Sequence, residues 1–365
     1  MIGVAVTVVA LLGSSVVRGE VPCAGDGPPL YAGDNGAMPP LRAPSELVAT
    51  ALVTTSIGIV GQDVAGGSGM RLERARFGFC GRAGEFAFRL IWEPFSIEER
   101  AHVDHSSREW GRLSDAAIGW APFRWLVVTA GEQRVPSGRG REQPVGALAL
   151  PLLPYTTIAL MPDRRLGASI DGDLGALRLY AGAFASARTI DMLSRNTGAE
   201  GLLAVARITI TPIGPLGARA LPDAGAWTDR PRLRLGITVE YDSHTGGVLA
   251  ETDAAFAVGR VHLAGEVAFV RSWRGEAGNR YFYDDALGTW LEAVVKLSDT
   301  IAAVARVEER WDYGTSGFSA LSSGMTIALP GPYVVLSAMA THVVRIEELR
   351  STDEDLALVA LTVER

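Results

Sequence analysis

Arginine carries the chemistry this chain offers. Lys296 is its only lysine, so nearly all the positive charge is guanidinium, which stays protonated at any relevant pH and grips an oxyanion with two donors. Six of these side chains stand where they could act together. Arg74, Arg76 and Arg89 fall on two early strands, and Arg134, Arg139 and Arg141 in a long segment after the fifth. Ringed around a narrow aqueous passage, such groups concentrate small anions by their field while still releasing them. Asp115, Glu240, Asp253, Glu266, Glu292 and Glu308 share the same facing by parity and supply partners across that space, so the expected ion preference is mild.

Other chemistries find little in the sequence. The five histidines, His102, His105, His244, His262 and His342, are scattered, and the only close pair is in His102-Val103-Asp104-His105, within an expected loop. That spacing makes no metal-ligand cluster. There is no nucleophile elbow and no glycine-rich phosphate loop opening a helix. The carboxylate pairs Glu98-Glu99 and Asp284-Asp285 fall in loops and serve to solvate them. The reading is therefore of a chain that is not an enzyme and uses neither cofactor nor metal. A net charge of −7 and a pI near 5.4 argue against nucleic acid as a partner.

The elements that must position these residues are strands. Arg232-Leu233-Arg234-Leu235-Gly236-Ile237-Thr238-Val239-Glu240-Tyr241-Asp242 alternates without a slip, charged or small residues on one face and apolar ones on the other. The chain is 48% hydrophobic with mean hydropathy +0.18. Past its first residues, however, no charge-free run approaches the roughly 18–20 that a spanning helix needs. Apolar content is dispersed in alternation, as strands with one lipid face and one water face require.

About sixteen strands are expected, near 47–60, 69–80, 85–93, 111–121, 124–133, 165–171, 175–186, 201–211, 231–242, 248–258, 260–271, 288–297, 300–310, 316–328, 332–345 and 355–365. Short turns alternate with connections that include the long segments 94–110, 134–164, 187–200 and 272–287. The long stretch 212–230 falls on the short-turn side and points to a miscounted strand nearby. Phe77, Phe79, Phe86 and Phe88 flank one tight turn and would form an aromatic girdle at a membrane boundary. The fold class is thus an all-β transmembrane antiparallel barrel. A soluble core would bury those phenylalanines and leave Arg74, Arg76 and Arg89 outside, with nothing to account for the same bias in so many strands.

Residues 1–19 read as a signal peptide: Ile2 to Val17 is apolar or small and the first charge is Arg18. Residues 20–45, rich in Pro and Gly, read as a periplasmic lead-in, and 46–365 as the barrel. Of the two cysteines, Cys23 lies in the lead-in and Cys80 on the inward parity of an early strand. They are read as two thiols, with a bond between them as the alternative, because both sit near the same rim.

Several of these runs resemble the phosphate-selective porin O and P family. The similarity is carried by Arg74-Ala75-Arg76-Phe77-Gly78-Phe79-Cys80-Gly81, Leu113-Ser114-Asp115-Ala116-Ala117-Ile118-Gly119-Trp120 and Val128-Thr129-Ala130-Gly131-Glu132-Gln133-Arg134-Val135-Pro136. It continues through Asp163 to Gly167, Tyr180 to Phe184, Ala206 to Pro212 and Ala305 to Glu308. The resemblance implies a sixteen-stranded barrel in the outer membrane of a Gram-negative bacterium, usually a homotrimer, that passes small anions by diffusion. It also implies that 134–164 folds inward and narrows the pore, bringing Arg134, Arg139 and Arg141 to face Arg74, Arg76 and Arg89. The lysines of a strongly phosphate-selective channel have no counterparts here, and the chain ends Leu361-Thr362-Val363-Glu364-Arg365 rather than on an aromatic residue. Three readings remain open: a diffusion porin with mild anion preference, phosphate included; a plugged barrel with a structural or surface-interaction role; and a soluble exported β-protein that binds a ligand.

Overall fold

The alternating runs close on one another. The computed structural model describes residues 46–60, 69–96, 112–123, 125–142, 149–150, 153–162, 164–186, 201–214, 216, 230–243, 246–271, 285–312, 316–329, 334–347 and 350–364. Within them sixteen strands follow in chain order. The first eight are β1 (Glu46–Val60), β2 (Gly69–Ala83), β3 (Phe86–Ser96), β4 (Arg112–Phe123), β5 (Leu126–Arg134), β6 (Arg164–Asp173), β7 (Leu177–Ala185) and β8 (Leu202–Ile213). The rest are β9 (Arg232–Asp242), β10 (Gly247–Val258), β11 (Val261–Arg271), β12 (Asp285–Lys296), β13 (Ile301–Asp312), β14 (Ser316–Leu329), β15 (Val334–Glu347) and β16 (Arg350–Glu364). Every strand pairs antiparallel with its neighbours in sequence, and β1 pairs with β16 to complete a closed barrel. Closure leaves no row of unpaired backbone groups, the condition for standing in hydrocarbon.

The expected facing holds in the strands. On β9, Arg234, Thr238 and Glu240 are buried inside, while Ile237 (60% exposed), Val239 and Tyr241 face out. On β13, Arg306, Glu308 and Arg310 point in, and Val307 and Trp311 point out. Polar groups fill the interior and apolar groups the surface, the reverse of a water-soluble sandwich.

The turns also follow the alternation. Strands β2 and β3 meet at Gly84-Glu85, and β10 and β11 at Gly259-Arg260. Gly84 and Gly259 sit at φ 59° and 55°, a left-handed conformation that glycine adopts without steric cost. Around the first of these turns Phe79, Phe86 and Phe88 are exposed outward, joined by Trp120 and by Phe123 stacked on Trp125 at 5.5 Å. The side chain of Phe77 lies outside the described residues.

Two expectations are corrected. The long connection after β8 does not mark a missed strand, because β8 pairs directly with β9. Its early residue Leu216 is buried against Ala255, Ala257, Ala264 and Trp290. Cys80 is not a free thiol: it is buried and disulfide-bonded. Cys23, the chain's other cysteine, lies outside the described residues, as do the expected signal peptide and lead-in.

The connection from β5 to β6 folds into the barrel as expected. It carries two short helices, α1 (Arg139–Glu142) and α2 (Tyr155–Leu160). Apolar contacts hold it at three places on the wall. Val135 packs with Tyr180, Phe184, Leu203 and Val205; Ala149 and Leu150 with Val294, Ala302, Val304 and Met339; and Met161 with Leu249 and Ala268.

Candidate functional site: the charged constriction

Three successive strands each send one inward arginine to the loop. Arg178 on β7, Arg207 on β8 and Arg234 on β9 are flanked in sequence by Leu177 and Leu179, Ala206 and Ile208, and Leu233 and Leu235, so the period of two turns each guanidinium inward. All three meet Glu142 at the end of α1. Arg207 Nη2 lies 3.2 Å from Glu142 Oε2, Arg178 Nη1 lies 3.9 Å from Oε1, and Arg234 Nη2 bonds the same Oε2 as Arg207.

The neighbouring wall supplies counter-charge. Arg207 donates to Thr238 Oγ1 at 2.6 Å, Glu251 Oε2 at 3.0 Å and Asp253 Oδ2 at 2.6 Å. Arg178 Nε donates to Asp171 Oδ1 at 2.9 Å, and its Nη2 bonds the other carboxylate oxygen. Gly236 makes the first of these clusters possible. A Cβ there would strike Asp253 and come within 2.6 Å of Arg207 Nη2.

On the adjoining arc the carboxylates of β11 and β13 hold the loop. Glu266 accepts from Gly140 N at 2.9 Å, Thr157 Oγ1 at 3.1 Å and Trp290 Nε1 at 3.0 Å. Glu308 accepts from Thr156 N at 3.3 Å and from Arg306 Nε at 2.9 Å, and Arg306 also faces Glu292 at 3.5 Å. The outcome is an arginine-bearing arc on β7–β9 beside an acid-rich arc on β10–β13, the latter also carrying Arg306 and Arg310.

Burial shapes the two loop charges differently. Burial pushes the Arg139 guanidinium down to about 10, and Arg234 adds to the effect, so the group still carries its proton near neutrality. Burial pushes the Glu142 carboxyl up, but Arg207, Arg234 and Arg178 together outweigh it and hold the group well below the usual carboxylate range.

Of the six arginines singled out from the sequence, the four whose side chains are described go to separate partners. Arg139 is fully buried and its Nη2 donates to His262 Nε2 at 3.1 Å on β11. His262 therefore carries its own proton on Nδ1. Arg134 Nη1 donates to the carbonyl of Arg141 at 3.2 Å and Arg141 Nη2 to that of Met161 at 2.9 Å. These two tie the loop to itself. Arg89 is buried on the inner wall and lies 3.6 Å from Asp115, which also receives Arg164 at 3.4 Å. Arg74 and Arg76 lie on β2, but their side chains are outside the described residues. Arg178, Arg207, Arg234 and Glu142 were not picked out from the sequence, although an inward arginine between two outward apolar residues was a legible signal for the first three. Among the described residues no group of three or more His, Cys, Asp or Glu is arranged to hold a metal ion.

No protein-family model matches the sequence, and no curated protein matches it either. Solved structures do match in fold. An anion-selective porin from Comamonas acidovorans superimposes with TM-score 0.58 at 12% identity, over 88% of this chain and 100% of that one. Outer-membrane expressed OmpT of Vibrio cholerae gives 0.59 at 8% identity, over 88% and 98%. Salmonella typhi OmpF, in complex with daunomycin, gives 0.57 at 10%, over 87% and 97%. At these identities the likeness is one of architecture, and the chain has the barrel fold of outer-membrane porins.

Proposed function

We propose that this chain is a diffusion channel of the Gram-negative outer membrane, passing small hydrophilic solutes with a mild preference for anions, phosphate among them. The observation that carries this reading is a closed barrel, apolar outside and charged inside, whose β5–β6 loop enters the lumen and packs on an arginine-bearing arc and the acid-rich arc beside it. Unlike charges set side by side on the lumen wall orient a dipolar solute and, with near-balanced charge, give only weak ion selectivity. The resemblance to the phosphate-selective porin O and P family and the likeness to an anion-selective porin support the anion preference. Arg89 and Arg139 contribute fixed charge, with Arg74 and Arg76 proposed beside them, while Arg134 and Arg141 keep the loop in place. Residues 1–19 would direct export and be removed, and 20–45 would lie in the periplasm.

The functional unit is proposed to be a homotrimer in outer-membrane lipid. One solved OmpT of Vibrio cholerae is described as a trimer form. In this chain His342 Nδ1 donates to Asp355 Oδ1 at 2.8 Å on the outward face of β15 and β16. A polar pair on the outward face would be costly against acyl chains, and a neighbouring subunit is proposed to cover it.

The test is reconstitution into planar bilayers. Stepwise conductance and a reversal potential displaced slightly toward anion preference across a potassium chloride gradient are expected. A plugged barrel acting through its surface is the second reading, favoured by the near-complete burial of Arg207 and Arg306 inside the lumen. Binding to a surface partner with no conductance would select it.

A further inference from the structure

The loop presents one carboxylate and the wall presents three guanidiniums to receive it. We infer that Arg178, Arg207 and Arg234 form a binding site for a small oxyanion of carboxylate or phosphate type, and that Glu142 is its tethered occupant, displaced when a free anion arrives. The inference rests on the channel reading above and deepens it.

The uneven sharing of counter-charge is the first support. Arg178 has Asp171, and Arg207 has Glu251 and Asp253. Among the described residues the only ion pair of Arg234 is with Glu142. Withdrawing Glu142 therefore leaves a buried guanidinium with no anion, and a free anion must take the place. Arg234 also holds donor capacity in reserve, since its Nη1 is buried without a hydrogen-bond partner. A phosphate offers more acceptor oxygens than the carboxylate it would replace and engages such a donor directly.

The second support is where the occupant comes from. The arginines stand on hydrogen-bonded strands, whereas Glu142 ends a four-residue helical turn in a loop that the barrel ladder does not fix. Moving it breaks no strand pairing. Arg178 keeps 23% of its side chain exposed, so the site opens to solvent on that side. A short tether holds Glu142 at an effective concentration of about millimolar or above. A passing anion is thereby bound only weakly, as conduction requires.

The test compares wild type with Glu142→Gln in planar bilayers, measuring how inorganic phosphate lowers the chloride-carried conductance at constant ionic strength and pH 7. Phosphate should act at a concentration at least ten-fold lower in Glu142→Gln, and adding Arg234→Gln should remove that gain. Equal potency in wild type and Glu142→Gln, or a gain that survives the loss of Arg234, would overturn the assignment. Should neither protein conduct, the channel reading fails and the site is judged separately in detergent. There phosphate should raise the unfolding midpoint of Glu142→Gln more than that of wild type, and an equal rise overturns the site. If Glu142→Gln does not fold, Glu142→Asp, with its shorter reach to the arginines, is expected to show the same change in smaller degree, and an unchanged phosphate response overturns the proposal.

Discussion

At the scale of single residues the constriction is a problem of compensated burial. Arg207 is 2% exposed and is tolerable there because three carboxylates and a hydroxyl answer its donors. Gly236 is the gap through which that cluster forms. Gly236→Ala should therefore cost about 1–3 kcal/mol by overpacking, read as a lower urea midpoint for unfolding in detergent, whereas a wild-type midpoint would show that the cluster yields without strain. The pH dependence of the Glu142 clamp follows from the direction of its shift. A carboxyl whose folded pKa lies below its ordinary value of 4.5 stabilises fully above that value, and the contribution is lost as pH falls through the depressed folded pKa. The clamp should thus persist from pH 7 to pH 5, with the difference in conductance between wild type and Glu142→Gln unchanged over that window. A difference that vanishes by pH 5 would place the pKa elsewhere.

Elements explain why some of this was legible in advance and some was not. Strand positions came through because alternation is local: Arg232 to Asp242 announces its two faces without reference to any neighbour. The largest shortfall was β16, which begins at Arg350 rather than 355, since Ser351-Thr352-Asp353-Glu354 carries no apolar alternation to read. The inward course of the loop was foreseen through family resemblance. Its contacts were not, because Glu142 meets Arg207 and Arg234 across separations of 65 and 92 residues, and only barrel closure and loop course bring them together. The same logic hid the destination of Arg139, whose partner His262 had looked like an isolated histidine. The loop should also depend on its apolar anchors. Leu150 is fully buried against β12, β13 and β15, and Leu150→Ala removes contacts worth about 2–5 kcal/mol. Loosening that end of the loop should give larger and noisier single-channel steps, while steps of wild-type size would mean that Glu266 and Glu308 suffice to hold it.

For the whole molecule, the outer surface must satisfy lipid almost everywhere, so departures from apolarity indicate where lipid is absent. Ile237 stands outward at 60% exposure on β9, amid Val239 and other apolar side chains, and has the character of an acyl-chain contact. The His342–Asp355 pair stands outward on β15 and β16, where Ala338, Ala340 and Ala357 offer little bulk. Small residues permit close approach of a second surface, and burying the pair against protein would spare it the hydrocarbon. The two positions should therefore respond differently to a lipid-soluble probe. With single cysteines introduced by Ile237→Cys and His342→Cys and a nitroxide attached, molecular oxygen should relax the label at 237 strongly and the label at 342 several-fold less in reconstituted protein. Dissociating the proposed oligomer with a harsher detergent should then bring position 342 up to the level of 237. Equal oxygen access at both positions in the bilayer would mean that β15 and β16 face lipid and would remove the support this pair gives to the proposed subunit contact.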